Sequence, residues 1–458
     1  MSDSASFSPR RRSRWLVLLA GIALASLLGE GMARLRYAHP ALPPPEHAPA
    51  PPGMYEDDPS TGFRLAPGFV DDADRFSTNA LGFRDRLRTP GPAPAGTLRV
   101  ALIGDSFAAG VGVADDQHLS RLLEDALVAS GQAVQVWNLG VPHFGTQQSM
   151  LQLMDRWDSI QPDVVVLALF EGNDAFDDIQ GPSFHTVRNR RITRRGWAPW
   201  PGDPYNDERA ELNRPLLAHH LPLDGVLQRR SALYRLLLRG LHAAQYDSVR
   251  RWPWGMEPFD YEAFGGVAWL YLAPPPPPIE GGWRITADVL GELKHRVGKA
   301  GPQLAVLAIP SKIMVVREDL RMAFEEGWEL GYRPGGGALD GSREFDVEIP
   351  TQRVVELTDT IGIPRIDLVI PMGRAAEQER LYYLDDSHWN AAGHRVAAGE
   401  LGRGLARLGW IEEPVGLLSR LEAAVPIGSA PEEYEAGFRA GRAGPGPRLD
   451  ALPTPLAR

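Results

Sequence analysis

The chain has no cysteine in its 458 residues. That removes disulfide frameworks, thiolate zinc sites and cysteine nucleophiles together, so any chemistry has to come from oxygen and nitrogen side chains. Positive charge is also in short supply: 48 Lys and Arg face 58 Asp and Glu, leaving a net charge of −10. A nucleic-acid partner, which calls for a basic domain or stripe, is therefore not expected. Long hydrophobic runs are confined to one place near the start, which excludes a multi-span membrane protein. With 43% hydrophobic and 23% charged residues the chain has ordinary globular material, though too much of it for one average domain. What it has in excess is 48 glycines and 41 prolines, which implies long loops and linkers between the packed elements.

The ends differ from the middle. Arg10, Arg11, Arg12 and Arg14 precede an uncharged run from Trp15 to Gly29. A basic flank followed by an apolar run is a membrane-targeting pattern, and the positive-inside rule keeps the arginines cytoplasmic and exports the rest. Fifteen helical residues span ~22 Å against a hydrocarbon core of ~30 Å, so Glu30 to Leu35 has to contribute to a span. Residues 1–36 are thus expected to be a membrane anchor, in preference to a signal peptide cleaved near Ala25. Residues 37–96 read as a proline-rich spacer whose one ordered-looking island is Ser77 to Asp85. Residues 411–458 form a C-terminal extension, expected to be disordered after 441.

Between the ends, strand-like and helix-like segments alternate. Leu98 to Ile103, Val134 to Asn138, Val164 to Phe170, Leu304 to Ile309 and a stretch around Ile366 read as strands. Val164 to Phe170 is almost wholly apolar, as in a strand covered on both faces. Helices are expected at Leu119 to Leu127 with Asp115 or Asp116 as cap, at Gly145 to Ile160, around Val289 to Val297, at Arg353 to Thr360, and from Asn390 to about Leu408. The pattern predicts a parallel sheet with helices on both sides. It divides into residues 97–178 and 285–410 around an insertion, 179–284, rich in tryptophan and arginine. That insertion carries one amphipathic helix, Ser231 to His242, and closes at Pro274 to Pro278. Its aromatic residues suit the core of a cap over the sheet better than a stacking platform for sugars, and the helix suits core packing better than a membrane surface.

In open α/β sheets ligands bind beyond the carboxyl ends of the strands. Reactive groups stand at those places: Gly104-Asp105-Ser106-Phe107, Asn138-Leu139-Gly140, Glu171-Gly172-Asn173-Asp174 and, before the last helix, Asp385-Asp386-Ser387-His388. These are the parts of a serine acyl-transfer site. A serine hydroxyl needs a histidine to take its proton, and the imidazole needs an acceptor on its other nitrogen. Ser106, His388 and Asp385 fill those roles, with Asp386 competing for the last and Asp105 read as a turn residue. The oxyanion needs preorganised donors, which the Ser106 N–H, the Asn173 amide and a backbone N–H after the second strand supply. His394 reads as a helix-surface residue. His219 and His220 have no companions at metal-ligand spacing, so no metal is expected.

In this order, GDSF at Ser106, GND at Asn173 and DDSH at Asp385 to His388 resemble the SGNH or GDSL hydrolases. The resemblance covers roughly residues 77–178 and 285–410, and Leu81 to Asp85 (LGFRD) is similar to a motif of a membrane-anchored bacterial branch. It implies a flavodoxin-like three-layer α/β/α fold, a serine esterase without cofactor, and a small-molecule or polysaccharide acyl ester as substrate. The enzyme would sit on the periplasmic side of the inner membrane. Two alternatives stay open: an O-acetyltransferase acting on an exported polysaccharide with the same triad, and a non-catalytic polysaccharide-binding or assembly factor. The second block departs from the family's N-x-G-x-x-G, because His143 occupies the last glycine position and lacks glycine's conformational freedom. Either His143 gives the oxyanion donor, or a shifted loop lets Gly140 or Gly145 give it.

Overall fold

Almost continuous burial along the central strands builds a sheet with two covered faces. The computed structural model describes residues 53–71, 76–182, 185–188, 191–194, 199–212, 269–275, 277–316, 344–383 and 387–428, with helical residues 21, 25–29, 31–32 and 233 besides. Its central strands are β1 (Leu98–Gly104), β2 (Val134–Asn138), β3 (Val164–Phe170), β4 (Gln303–Ile309) and β5 (Arg365–Asp367). All are parallel, in the order β5-β4-β3-β1-β2. Read from the other edge this is 2-1-3-4-5, the flavodoxin-like order, whose switch point lies between β1 and β3.

The helices that position the site are α1 (Ser106–Ala109), α2 (Leu119–Ala129), α3 (Thr146–Asp155), α4 (Asp174–Gln180), α5 (Pro277–Ala300), α6 (Ile349–Ile361) and α7 (Ala391–Arg407). Val100, Leu102, Val164, Val166, Leu307 and Ile309 face one way, into a core with Leu123 of α2 and Leu401 and Leu405 of α7. Their neighbours Ala101, Ile103, Val165, Leu167 and Val306 face the other way, onto Leu153 of α3, Val289 and Leu293 of α5 and Val354 of α6. This is the three-layer arrangement the strand pattern implied. Each buried aliphatic side chain contributes about 1.5–3 kcal/mol, so the two faces dominate the stability of the domain.

Several boundaries differ from expectation. The helix expected over Gly145 to Ile160 breaks at Arg156 into two, Thr146–Asp155 and Trp157–Ile160. α2 is capped by His118, whose Nδ1 accepts from the Arg121 N–H at 3.3 Å, and not by Asp115 or Asp116. α5 begins at Pro277, inside the supposed proline border, because a proline in the first turn gives up no helical hydrogen bond. Asn390 caps α7 as expected, accepting from the Gly393 N–H at 3.1 Å. The C-terminal extension is part of the core as far as Val425: a helix over Leu417–Ala424 buries Leu417 and Leu421 against α2 and α7.

The proline-rich spacer is also corrected. From Gly53 the chain is folded: Tyr55–Asp58 pairs antiparallel with Gly62–Leu65, and Met54, Tyr55, Phe63, Leu65 and Phe76 make a third small core with Val141 and Phe144. Those aromatic residues are spread among prolines and acidic residues without a period, so no sequence pattern announced them. Parts of the insertion are described, and these pack on one face of the sheet domain. Leu270, Tyr271, Leu272 and Trp283 join the face of α3 and α5, and the fully buried Arg209 binds Asp203, Gln147 and the Asp178 carbonyl. The helix expected at Ser231 to His242 lies outside the described residues apart from Leu233, and the tail after 428 lies wholly outside them. Most of the expected anchor does too; among the described residues no helix is long and apolar enough to cross a membrane.

His394 is not on the helix surface but buried, with Nδ1 accepting from the Leu119 N–H at 3.3 Å and its ring edge-on to Trp389 at 5.4 Å. Burial first, then the charges of Arg84 and His388, depress its pKa from 6.5 to about 3. Between those values the unfolded chain binds the proton and the folded one does not, so this contribution is intact above pH 6.5 and lost as pH falls toward 3, at about 1.4 kcal/mol per unit. The stability difference between wild type and His394→Asn, followed by thermal unfolding, is expected to be constant above pH 7 and to shift steadily against the wild type below 6.5.

Candidate active site

The site grows out of the end of β1. Gly104 has φ +152°, and a Cβ there would lie 2.6 Å from the Ala168 carbonyl of β3, so only glycine lets the chain turn this close to its neighbour. Asp105 then caps α1: its Oδ1 accepts from the Phe107 N–H at 2.9 Å, as a turn residue should. Ser106 is the first residue of α1, and its hydroxyl lies 3.3 Å from Asp105 Oδ2.

His388 comes from the other end of the chain. The Tyr383 N–H donates to the His388 carbonyl at 3.1 Å, Tyr382 bridges Trp389, and the Asn390 N–H donates to the Leu381 carbonyl at 3.0 Å. These bonds tie the two ends of the segment carrying the expected acids, while Asp385 and Asp386 themselves lie outside the described residues. The result is a 2.7 Å contact between His388 Nε2 and Ser106 Oγ. Phe107 supports the pair from behind, its ring centroid 5.2 Å from that of His388, 4.2 Å from Phe170 and 4.9 Å from Trp389. A serine and an imidazole at 2.7 Å are in geometry for proton transfer.

The second block runs from Asn138 past the position of the displaced glycine. Gly140 lies against α1, where a Cβ would fall 2.2 Å from the Ala109 nitrogen, and its own N–H is spent on Asn138 Oδ1 at 2.9 Å. The Gly145 N–H is directed at Gln148 Oε1 at 3.4 Å. His143 has φ +71°, so it takes the left-handed backbone that a glycine would supply, with Val141 and Phe144 buried on either side. The strain of that conformation is borne by the packing of its neighbours against Tyr55 and Phe63. Of the three residues the sequence left open, Gly140 and Gly145 have their N–H groups directed at side chains, and His143 keeps the left-handed backbone. Asn173 stands at the end of β3, the strand beside β1, as the N-cap residue of α4; its side chain does not cap that helix, and its Oδ1 is buried without a partner.

Sequence reasoning missed a buried acid at the end of β3. Asp174 is buried, with Oδ2 accepting from the Phe170 N–H at 2.9 Å; burial, followed by the charges of Asp105, Asp178 and Asp177, pushes its pKa well up. Burial likewise raises Asp105 to about 6, against its hydrogen bond from Phe107 and the charge of His388. Glu171 receives the Thr351 hydroxyl at 2.5 Å, and burial lifts it to about 8. The GND motif held the signal for Asp174, but a motif does not show burial. Among the described residues no cluster of three or more His, Asp or Glu is placed to hold a metal ion; His219 and His220 are not among them.

Comparison with known proteins finds likeness at the level of structure. No protein-family model and no curated protein matches the chain. Of the solved structures, 39 chains match. The lipase/acylhydrolase from Enterococcus faecalis is 14% identical, aligned over 68% of this chain and 96% of its own, with a TM-score of 0.34. TesA is 12% identical over 68% and 99%, with a TM-score of 0.33. The acetyl xylan esterase AlAXEase is 14% identical over 66% and 98%, also at 0.33.

Two substitutions check the geometry. Gly140→Ala has to displace the backbone of α1, so a loss of about 1–3 kcal/mol in thermal unfolding is expected, together with disruption of the Ser106–His388 contact. Glu171→Gln tests the buried acid. With a folded pKa of about 8 against 4.5 unfolded, Glu171 withdraws stability as pH rises through that window. The glutamine variant is therefore expected to gain in melting temperature over wild type between pH 5 and 8, and to show no gain below pH 4.

Proposed function

We propose that this chain is an exported serine esterase of the SGNH/GDSL type, hydrolysing carboxylic esters, acetyl or other acyl, through an acyl-enzyme on Ser106. The observation that carries the reading is the 2.7 Å contact between Ser106 Oγ and His388 Nε2 beside the switch point of a parallel sheet. Ser106 Oγ attacks the ester carbonyl while its proton passes to His388 Nε2. The tetrahedral oxyanion is held by the Ser106 N–H, the His143 N–H and the Asn173 amide. The C–O bond to the alcohol then breaks, the alcohol leaves with the proton from His388, and the acyl group stays on Ser106. A water gives its proton to His388, attacks the acyl carbon, and the carboxylic acid departs as Oγ regains its proton. Asp385 orients His388 and stabilises the imidazolium, and the reaction needs no cofactor. The left-handed backbone at His143 favours this reading over a non-catalytic binding protein, for which the missing glycine was the only support.

Residues 1–36 hold the enzyme at the periplasmic side of the inner membrane. The arginine cluster beside one apolar run supports that placement.

The test is release of acetate from a chromogenic acetyl ester by the chain from residue 53 onward and by the full protein. Ser106→Ala is expected to lower kcat/KM by about 10⁴-fold, and Asp385→Asn by a similar order. An active Ser106→Ala would overturn the reading. An acyl-enzyme, seen by intact mass, that turns over only when a polysaccharide is added would make the protein a transferase instead of a hydrolase.

A further inference from the structure

A second group of residues converges on the C-terminal end of α1, the helix that begins with Ser106. Arg84, in the LGFRD motif, is fully buried. Its Nη1 donates to the Ala109 carbonyl at 3.0 Å and to the Gly110 carbonyl, its Nη2 donates to the Val113 carbonyl, and its Nε to Asp115 Oδ1 at 3.1 Å. The guanidinium lies over the Phe76 ring, 4.3 Å from its centroid. Ala109 and Gly110 are where α1 ends, at a left-handed Gly110 with φ +76°. A helix of one turn has almost no hydrogen-bond ladder of its own, and its last carbonyls need outside donors. Arg84 is that donor.

The same turn is held from its other side by the loop of the base. Tyr383 donates its hydroxyl to the Gly112 carbonyl at 2.5 Å and its N–H to the His388 carbonyl at 3.1 Å. Gly112, at φ +89°, makes room for the tyrosine ring, which a Cβ would meet at 2.8 Å. Arg84, the turn from Ala109 to Val113, Tyr383 and His388 thus form one continuous run of contacts. It links the far end of the nucleophile's helix to the base. Asp85, the next residue of the motif, pairs with Arg88 at 2.8 Å and lies 3.4 Å from the Asn138 N–H of the second block.

We propose that Arg84 is a positioning residue for the acyl-transfer step. It fixes α1 at its C-terminal end and so sets the placement of Ser106 Oγ against His388 Nε2. The proposal rests on the esterase reading above. A lysine keeps the charge but offers a single ammonium where a planar fork reaches three carbonyls and a carboxylate.

The experiment measures kcat, KM and thermal unfolding for wild type, Arg84→Lys and Asp115→Ala on a chromogenic acetyl ester, with Ser106→Ala beside them. Arg84→Lys, folded at the assay temperature, is expected to lose about 10²-fold in kcat with KM changed less than about threefold, as follows from displacing a reacting atom without touching the substrate site. Asp115→Ala removes the outer, half-exposed partner of Arg84 together with the two hydrogen bonds that Ser77 donates to the same carboxylate, and is expected to lose about tenfold in kcat with KM unchanged. A folded Arg84→Lys with wild-type kcat overturns the proposal, and so does a loss that matches the unfolded fraction. Should Arg84→Lys not fold, Asp115→Ala decides by the same readout: a fall in kcat alone supports the proposal, and wild-type kcat overturns it. If Ser106→Ala is as active as wild type, the esterase reading fails; if it is inactive while folded Arg84→Lys turns over normally, only the role of Arg84 fails.

Discussion

A single turn of helix cannot hold its own position in water, and in this protein it carries Ser106. Nucleation of a helix costs more than its first hydrogen bonds return, so four residues stay helical only where the surroundings fix them. Here the fixing is done on every side. Gly104 lets β1 approach β3 before the turn, Gly140 brings the second block onto the backbone of α1, Phe107 is set among Phe170, His388 and Trp389, and Arg84 takes the carbonyls at the far end. Any of these contacts, loosened, moves the hydroxyl relative to the imidazole. The 2.7 Å between them is the summed result of packing that extends from residue 53 to beyond residue 400.

The electrostatics follow from the same burial. Carboxyl groups at Asp105, Asp174 and Glu171 are driven up by loss of water, while His394 is driven down. In each case the buried group is held toward its uncharged form, because the charged form is the one that loses its water.

The small N-terminal core shows how function can depend on a segment without reacting groups. Tyr55 and Phe63 pack with Val141 and Phe144, the residues that flank the left-handed His143, and the Gln148 side chain donates to the Thr61 carbonyl at 2.7 Å. The hairpin, the motif with Arg84 and Asp85, and the loop that carries His143 therefore form one block. A reading of this stretch as a spacer was natural, since its prolines are obvious and its aromatic residues have no period; the contacts that order it come from residues 80 positions further on.

The strands, their order of appearance and the two-faced core were legible because short, continuous apolar runs and the glycines that end them act over a few residues. Ser106, Asn173 and His388 were legible for a related reason: each stands directly after a strand or before a helix, where the local geometry presents it. What the sequence could not carry is anything that depends on which distant atoms meet. That His394 and Asp174 are buried, that His118 and not an aspartate caps α2, and that Arg84 braces the end of α1 are all set by contacts between segments far apart in the chain. Local propensity, written in the sequence, determined the elements and their reactive ends; desolvation and long-range hydrogen bonding, which exist only once the chain is packed, decided how those ends work together.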